Sequence, residues 1–172
     1  MVRAFVGMGS NVDPAENVRK ALRLLSQEMS VNAVSTVYET EPEGRQEQAR
    51  YYNCVVEIEA VAEPADLKRT LRKIEEQLGR VRTADKYAPR VIDLDLLVYD
   101  EISMESPGLR LPDPDIATRP YLAAGLAELA PSLALPGIRT TPLELSKRLP
   151  AKGMRALRKY SEALRREVID ES

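Results

Sequence analysis

The chain has 172 residues, of which 25 are basic and 27 acidic, so its formal net charge is −2. This length suits one domain with a sizeable core, and the lack of a basic excess argues against non-specific binding of nucleic acid. The sequence has one cysteine and no histidine, which removes the usual ligands of zinc and haem and the base of a serine triad. Any bound metal is therefore expected to be a hard, oxygen-preferring ion such as Mg²⁺.

The sequence also bears on the cellular compartment. No apolar run approaches the ~20 residues of a membrane span, and no signal-peptide pattern is recognised. The single cysteine, Cys54, lies in an alternating apolar run, so it is predicted to be a core thiol in a reducing compartment. We therefore expect a cytoplasmic protein without a membrane partner, with one domain over residues 1–172.

The first predicted elements are a strand and a helix. Residues 2–8 (VRAFVGM) are almost all apolar, as in a buried strand. Asp13 precedes Pro14, and Glu16 follows three residues later, which predicts a helix with Asp13 as N-cap and Glu16 as its reciprocal partner. Apolar residues then recur at helical spacing, namely Val18, Ala21, Leu22, Leu25 and Met29.

Two β segments follow, separated by a polar loop. Residues 30–40 predict the second strand, residues 41–50 the loop, and residues 51–61 the third strand. Alternation in the third strand separates its side chains into two faces. One face carries Tyr52, Cys54, Val56, Ile58 and Ala60, and the other Tyr51, Asn53, Val55, Glu57 and Glu59.

A second helix is predicted to begin at Pro64 and to end at Gly79. Residues 80–89 then form a basic loop, and an apolar strand follows. The order β-α-β-β-α-β predicts an α+β fold of the ferredoxin-like type with an antiparallel sheet. Further along, the sequence predicts a hairpin over 102–111, a proline-rich turn over 112–120, a helix over 121–130 and a last helix over about 152–168. Residues 150–172 are thus expected to be an extra C-terminal helix of the same domain.

The segment APRVIDLDLL (88–97) contains two acids, Asp93 and Asp95, inside an apolar strand. In a strand both carboxylates project from one face, ~6–7 Å apart, and they repel each other unless a cation or an arginine lies between them. The basic residues just upstream are Arg80, Arg82, Lys86 and Arg90. Carboxylates for Mg²⁺ beside guanidinium groups for phosphate indicate phosphoryl transfer, although the arginines could also simply neutralise the aspartates.

Two other patterns are less specific. The segment GMGSN (7–11) resembles a phosphate-binding loop, but no G-x-x-x-x-G-K pattern exists and Val12 breaks G-x-G-x-x-G. Tyr51 and Asn53 lie on the face of their strand opposite the apolar run, where they are either ordinary surface residues or a stacking and hydrogen-bonding pair for a flat heterocycle. Tyr121 opens a helix and is more typical of a core residue.

Together these motifs resemble the 6-hydroxymethyl-7,8-dihydropterin pyrophosphokinase family over roughly residues 2–148. The resemblance is carried by GSN (9–11), YETEPEG (38–44), YYN (51–53), IEEQLGRVR (74–82) and APRVIDLDLL (88–97), with a weaker match in 111–131. It implies a ferredoxin-like fold and the transfer of the terminal diphosphate of ATP to the hydroxymethyl oxygen of the pterin, with release of AMP, in folate biosynthesis.

The resemblance also implies roles for individual residues. The implied catalytic residues are Arg80, Arg90, Asp93 and Asp95, and the two aspartates would hold two Mg²⁺ ions bound with ATP. The implied pterin contacts are Thr40, Tyr51, Asn53 and Tyr121. The implied ATP contacts are Glu75, Arg82, Tyr87, Leu96 and Arg119. The partners implied are ATP and a pterin, with no nucleic acid, and the protein is expected to be a monomer.

The sequence departs from the family pattern at two positions. Where members commonly carry a histidine in a proline-rich turn, this chain has Pro112-Asp113-Pro114, which puts the nucleotide contacts of that turn in question. A common tryptophan of the basic loop is replaced by Tyr87, which is expected to stack less strongly.

Two rival functions are less consistent with the sequence. A two-metal nucleotidyltransferase or nuclease would use the same aspartates but would favour a basic groove and a third acidic ligand. A non-catalytic ferredoxin-like module, such as an RNA-recognition domain, would need aromatic residues in a K/R-G-F-x-F-like run. The chain has one phenylalanine, Phe5, and no such run.

Overall fold

The structure is a computed structural model that describes residues 1–42, 44 and 47–170. Within these residues, its centre is an antiparallel sheet of six strands. These are β1 (Val2–Ser10), β2 (Ser30–Val34), β3 (Tyr38–Thr40), β4 (Tyr51–Ala60), β5 (Asp93–Tyr99) and β8 (Arg155–Ala156). A separate hairpin is formed by β6 (Met104–Ser106) and β7 (Leu109–Leu111). Two predicted segments extend beyond the described residues. The predicted polar loop includes residues 43, 45 and 46, and the predicted C-terminal helix includes residues 171–172, all of which lie outside them.

The strand order β5-β1-β4-β3-β8, with β2 also paired to β4, confirms the ferredoxin-like arrangement. Residues 30–40, predicted as one strand, form the two strands β2 and β3. The chain leaves regular pairing at Ser35, whose backbone N–H donates to the carbonyl of Val55 and whose hydroxyl accepts from the Val55 N–H, both at 2.8 Å. The Ser35 hydroxyl thus replaces a backbone carbonyl as acceptor for the Val55 N–H. Because this donor stays paired, the chain can leave the sheet between β2 and β3.

Five α-helices cover the two faces of the sheet within the described residues. They are α1 (Pro14–Glu28), α2 (Pro64–Gln77), α3 (Pro120–Leu129), α4 (Pro142–Arg148) and α5 (Arg158–Arg165), and a short 3-10 turn spans Pro114–Ala117. Apolar residues of α1, α2 and α5 form one core with one face of the sheet, and those of α3 and α4 form a second core with the other. None of the helices in the described ranges is long and apolar enough to cross a bilayer.

The N-terminal cap predicted for α1 is wrong, although the helix begins at Pro14 as expected. Asp13 adopts a left-handed backbone (φ 39°, ψ 54°), and its side chain makes no capping hydrogen bond. An N-cap side chain needs an extended backbone to fold back over the first turn. Here the Asp13 carbonyl accepts from Glu16 N and Asn17 N instead.

The C-terminal region also differs from the prediction. The last helix begins at Arg158 rather than near residue 152, because the chain first forms the short strand β8, and it ends in a π-helical turn over Arg166–Asp170. The helix α4 was not predicted. Its signal is present as Thr141-x-x-Glu144, since the Thr141 hydroxyl accepts from the Glu144 backbone N–H at 3.2 Å.

Candidate active site

A cleft of about 480 Å³ opens on the α3 side of the sheet, at the C-terminal end of β1 and the N-terminal ends of β4 and β5. It is lined by Gly7, Met8, Gly9, Thr40, Glu41, Tyr51, Asn53, Arg80, Arg82, Lys86, Tyr87, Arg90, Asp93, Asp95, Asp113, Asp115, Arg119, Tyr121 and Leu122. Eleven of the thirteen residues to which the family resemblance assigned a site role therefore lie in one cleft. The other two, Glu75 and Leu96, have buried side chains, with 2% and 5% exposure.

The alternation of β5 places the two acids as expected. Leu94 and Leu96 are buried in the core shared with α1 and α2, while Asp93 and Asp95 line the cleft on the opposite face. Their neighbours across the ladder are glycines of β1, with Gly9 paired to Asp93 and Gly7 to Asp95. Neither glycine has a side chain, so Asn53 approaches the backbone of Gly9 and Leu122 approaches that of Gly7.

Asp93 is held between two arginines. Its Oδ1 accepts from Arg80 Nη1, and its Oδ2 accepts from Arg90 Nη1, both at 2.8 Å. Arg80 is mostly buried, which would lower the pKa of its guanidinium, but the charges of Asp93 and Glu75 and their hydrogen bonds outweigh this and raise it. The two hydrogen bonds to Asp93 therefore fix both arginines at the edge of the cleft.

The buried Glu75 binds two arginines and the backbone of β5. Its carboxylate accepts from Arg80 Nη1 at 2.6 Å, from Arg82 Nη2 at 2.7 Å and from the backbone N–H of Leu94 at 2.8 Å. The last bond satisfies an outward-facing donor of β5, which is an edge strand of the sheet. Glu75 thus aligns both arginines and β5 without itself lining the cleft.

Asp95 is exposed to the cleft but lies among other acids. Partial desolvation, followed by the charges of Asp93, Asp113 and Glu75, raises the pKa of its carboxyl from 3.8 to about 7. The pKa of Asp113 is raised too, first by burial and then by nearby acids, although its hydrogen bond from Asp115 N opposes this. This corner of the cleft therefore has an excess of negative charge that a cation would neutralise.

The donor set fits Mg²⁺. Asp93 and Asp95 offer carboxylate oxygens from one strand face, which is the ligand type that Mg²⁺ prefers. Among the described residues, no three acidic, histidine or cysteine side chains converge as a complete metal site. Two carboxylates with the other positions left to phosphate and water are typical of metal sites that bind together with a nucleotide.

A second group of polar residues lies across the cleft, on β3 and β4. Asn53 Nδ2 donates to the hydroxyl of Thr40 at 2.8 Å, and both side chains are buried. A Cβ atom at Gly9 would lie 2.6 Å from Asn53 Oδ1, so only glycine leaves space for this amide. The pair therefore presents a fixed set of hydrogen-bonding groups at the edge of the cleft.

Two tyrosines border this polar pair. Tyr51 lies at the start of β4, and Tyr121 lies in the first turn of α3, where it packs against the second core. The Tyr121 hydroxyl accepts from Arg119 Nη1 at 2.9 Å, and Arg119 also pairs with Asp115 at 3.3 Å. Both rings line the cleft and are only half buried, so they can contact a flat ligand.

The basic loop is anchored by a residue to which the sequence assigned no role. The Asn11 side-chain oxygen accepts from the backbone N–H of Arg90 at 2.7 Å, and its Nδ2 donates to Gln48 at 3.3 Å. Gln48 in turn donates to the carbonyl of Tyr87, whose ring covers the backbone of Gly44. Asn11 therefore links the polar loop to the basic loop. In the sequence, this role was indicated only by the position of Asn11 in the GSN motif.

The chain resembles known proteins over most of its length. Residues 5–131 match the family model of 7,8-dihydro-6-hydroxymethylpterin-pyrophosphokinase (HPPK). Two relatives are named 2-amino-4-hydroxy-6-hydroxymethyldihydropteridine pyrophosphokinase. The one from Bacillus subtilis is 36% identical over 73% of this chain and 77% of its own. The one from Pseudomonas aeruginosa is 35% identical over 90% of this chain and 96% of its own.

Longer proteins also contain a similar region. A folic acid synthesis protein of Dictyostelium discoideum is 29% identical over 87% of this chain, which spans 23% of that protein. The crystal structure of wild-type HPPK-DHPS from Plasmodium falciparum matches with a TM-score of 0.66 at 14% identity, over 86% of this chain and 41% of that chain. The structural match supports the fold. The match to the family model and the two bacterial relatives establish the family to which the chain belongs. The chain belongs to the 7,8-dihydro-6-hydroxymethylpterin-pyrophosphokinase family.

Proposed function

We propose that the protein transfers the terminal diphosphate of ATP to the hydroxymethyl oxygen of 6-hydroxymethyl-7,8-dihydropterin and releases AMP, a step of folate biosynthesis. The observation that carries this proposal is the division of one cleft into two halves. One half holds carboxylates and arginines suited to phosphates, and the other holds an amide-hydroxyl pair and two tyrosines suited to a heterocycle.

In the heterocycle half, Asn53 and Thr40 would bond the polar edge of the pterin. Their mutual hydrogen bond and burial hold both groups in one orientation, which lowers the entropy lost when the substrate binds. Tyr51 and Tyr121 would contact the two faces of the ring. The hydroxymethyl group would then point toward Asp93 and Asp95.

In the phosphate half, Asp93 and Asp95 would hold two Mg²⁺ ions with the triphosphate. When bound, such ions would neutralise negative charge on the phosphates during transfer. The hydroxymethyl oxygen attacks the β-phosphorus of ATP and loses its proton. The bond between the β-phosphorus and the oxygen that joins it to the α-phosphorus breaks, and this oxygen leaves with AMP. Arg80 and Arg90, already fixed by Asp93, would stabilise negative charge on the transferred group and on AMP.

The remaining predicted nucleotide contacts divide into two groups. Arg82, Tyr87 and Arg119 line the cleft and would contact ATP directly. Glu75 and Leu96 have buried side chains, so we propose that Glu75 acts through the arginines that it binds and that Leu96 contacts the nucleotide through its backbone.

Product analysis tests the reaction. The protein is mixed with ATP, MgCl₂ and 6-hydroxymethyl-7,8-dihydropterin, and nucleotides and pterins are separated by chromatography. AMP and pterin diphosphate are expected in equal amounts, with no product from Asp95→Asn. ADP in place of AMP, or the absence of any transfer by the wild-type protein, would contradict the proposal.

We also propose that the protein acts as a cytoplasmic monomer. The two halves of the cleft come from one chain, so no second subunit is needed to complete it. Sedimentation velocity at micromolar concentration should give a mass near 19.2 kDa, and a stable dimer would refute this.

A further inference from the structure

We propose that the C-terminal segment, residues 153–165, is a positioning element of the pterin subsite, so that changes in it alter the use of the pterin and not that of ATP. The inference rests on the function proposed above. It concerns a segment that lies beyond the residues matched by the family model, which end at 131. The evidence is a set of contacts to the chain on both sides of Thr40.

The first contact is a strand pairing. β3 has only three residues and includes Thr40, and its outer neighbour is β8, with Tyr38 opposite Ala156 and Glu39 opposite Arg155. Short edge strands are easily frayed because half of their backbone groups face water. By adding a strand outside β3, the C-terminal segment holds the residue that bonds Asn53.

The second contact replaces sheet hydrogen bonds where the chain runs between β2 and β3. The Val37 carbonyl accepts from Leu157 N at 2.9 Å, and the Val37 N–H donates to the hydroxyl of Ser161 at 2.8 Å. Arg165 Nε donates to the carbonyl of Val34 at 2.8 Å. Val37 and Ser161 are almost fully buried, so water cannot take the place of these partners.

The third contact joins the segment to the two ends of the polar loop 41–50. Glu39 accepts from Arg155 at 3.3 Å and pairs with Arg50 at 3.2 Å. Arg50 also donates to the carbonyl of Gly153 at 2.8 Å. A Cβ atom at Gly153 would lie 3.1 Å from the Cδ of Glu41, a residue that lines the cleft.

These contacts all lie near the edge of the sheet that is formed by β3 and β8. β3 and β8 are separated from β5, which carries the carboxylates, by β4 and β1. The arginines that hold Asp93 come from the loop that precedes β5. Loosening the contacts of the C-terminal segment with Val37 and β3, as distinct from those with the polar loop, should therefore disturb Thr40 and Asn53 and leave Asp93 and its arginines in place.

Ser161→Ala is the main test, because it leaves the buried N–H of Val37 without its acceptor. We expect the KM for the pterin to rise about tenfold, with kcat and the KM for ATP within about twofold of wild type. Arg166→Ala is the matched control, since Arg166 lies on the next turn and is exposed, and within the described residues its one hydrogen bond goes to the carbonyl of Glu162. Equal increases in both KM values, or no increase, would overturn the inference.

A second variant covers the case in which Ser161→Ala does not fold. Arg155 is 69% exposed, so Arg155→Ala should fold and should raise the KM for the pterin by about two- to fivefold. Arg155→Lys keeps a positive charge beside Glu39 and should restore most of this loss. If Arg155→Ala and Arg155→Lys behave alike, Arg155 has no positioning role.

Amide hydrogen exchange distinguishes failure of this inference from failure of the proposed function. Exchange at residues 37–40 should be faster in Ser161→Ala than in wild type or Arg166→Ala, whether or not the protein makes AMP. Unchanged exchange would overturn the inference even in an active enzyme. A wild-type protein without turnover, but with faster exchange in Ser161→Ala, would refute only the proposed reaction and would retain the positioning of β3.

Discussion

Replacing the buried Glu75 with alanine should destabilise the protein strongly. The substitution leaves the Leu94 N–H without an acceptor, at a cost of about 1–3 kcal/mol when a buried donor is unsatisfied. It also removes a carboxylate partner from Arg80, which is 11% exposed, and from Arg82, which is 53% exposed. Because Arg82 can reach water and Arg80 keeps Asp93, we expect a total loss of about 3–5 kcal/mol in the free energy of unfolding.

This loss can be measured by urea unfolding followed by circular dichroism. For a domain of this size it should lower the melting temperature by about 6–20 °C. Glu76→Ala is the matched control, because Glu76 is the next residue of α2 and is exposed, so its change should remain within about 0.5 kcal/mol. A Glu75→Ala protein that loses less than about 1 kcal/mol, but binds ATP poorly, would refute the supporting role and favour a direct nucleotide contact.

Three other variants test the cleft itself. Because the pKa of Asp95 is about 7 in the folded chain and 3.8 as an isolated group, the folded state binds the proton more tightly and its stability falls as pH rises between these values. Asp95→Asn should therefore raise the melting temperature relative to wild type at pH 8 more than at pH 4.5, and a difference independent of pH would contradict this. Arg90→Ala should lower kcat by about 10²–10³-fold without changing the far-ultraviolet circular dichroism spectrum, since Asn11 binds the Arg90 backbone and not its guanidinium; an unchanged kcat would make Arg90 structural. Tyr121→Ala should weaken binding of the pterin more than binding of ATP in calorimetric titrations, and equal losses would argue against a ring contact.

The sequence predicted the parts of the site that depend on strand alternation. Asp93 and Asp95, like Tyr51 and Asn53, lie on the cleft faces of their strands because side chains in a strand alternate with a period of two. The assignment of Cys54 to the core is also confirmed, and burial raises the pKa of its thiol to about 12.

The sequence did not predict contacts that depend on distant segments. The resemblance implied a nucleotide contact for Glu75, but nothing in the sequence indicated that the approach of β5 would bury its carboxylate beneath two arginines. The cap at Asp13 failed because the backbone there is left-handed, a conformation that local residue preferences do not specify for aspartate. Likewise, no local pattern indicated that Ser161 would bond a backbone group 124 residues away.

The tight space at Gly9 has a consequence for inhibitors of this enzyme family. A competitive pterin analogue would be designed against the side chains that surround it, yet position 9 contributes none. A Cβ atom there would lie 2.6 Å from Asn53 Oδ1, so a change of glycine to alanine would displace this amide without replacing any side chain of the pterin subsite. In the proposed mode of binding the natural pterin bonds the same amide, so drug resistance through position 9 would reduce use of the natural pterin as well.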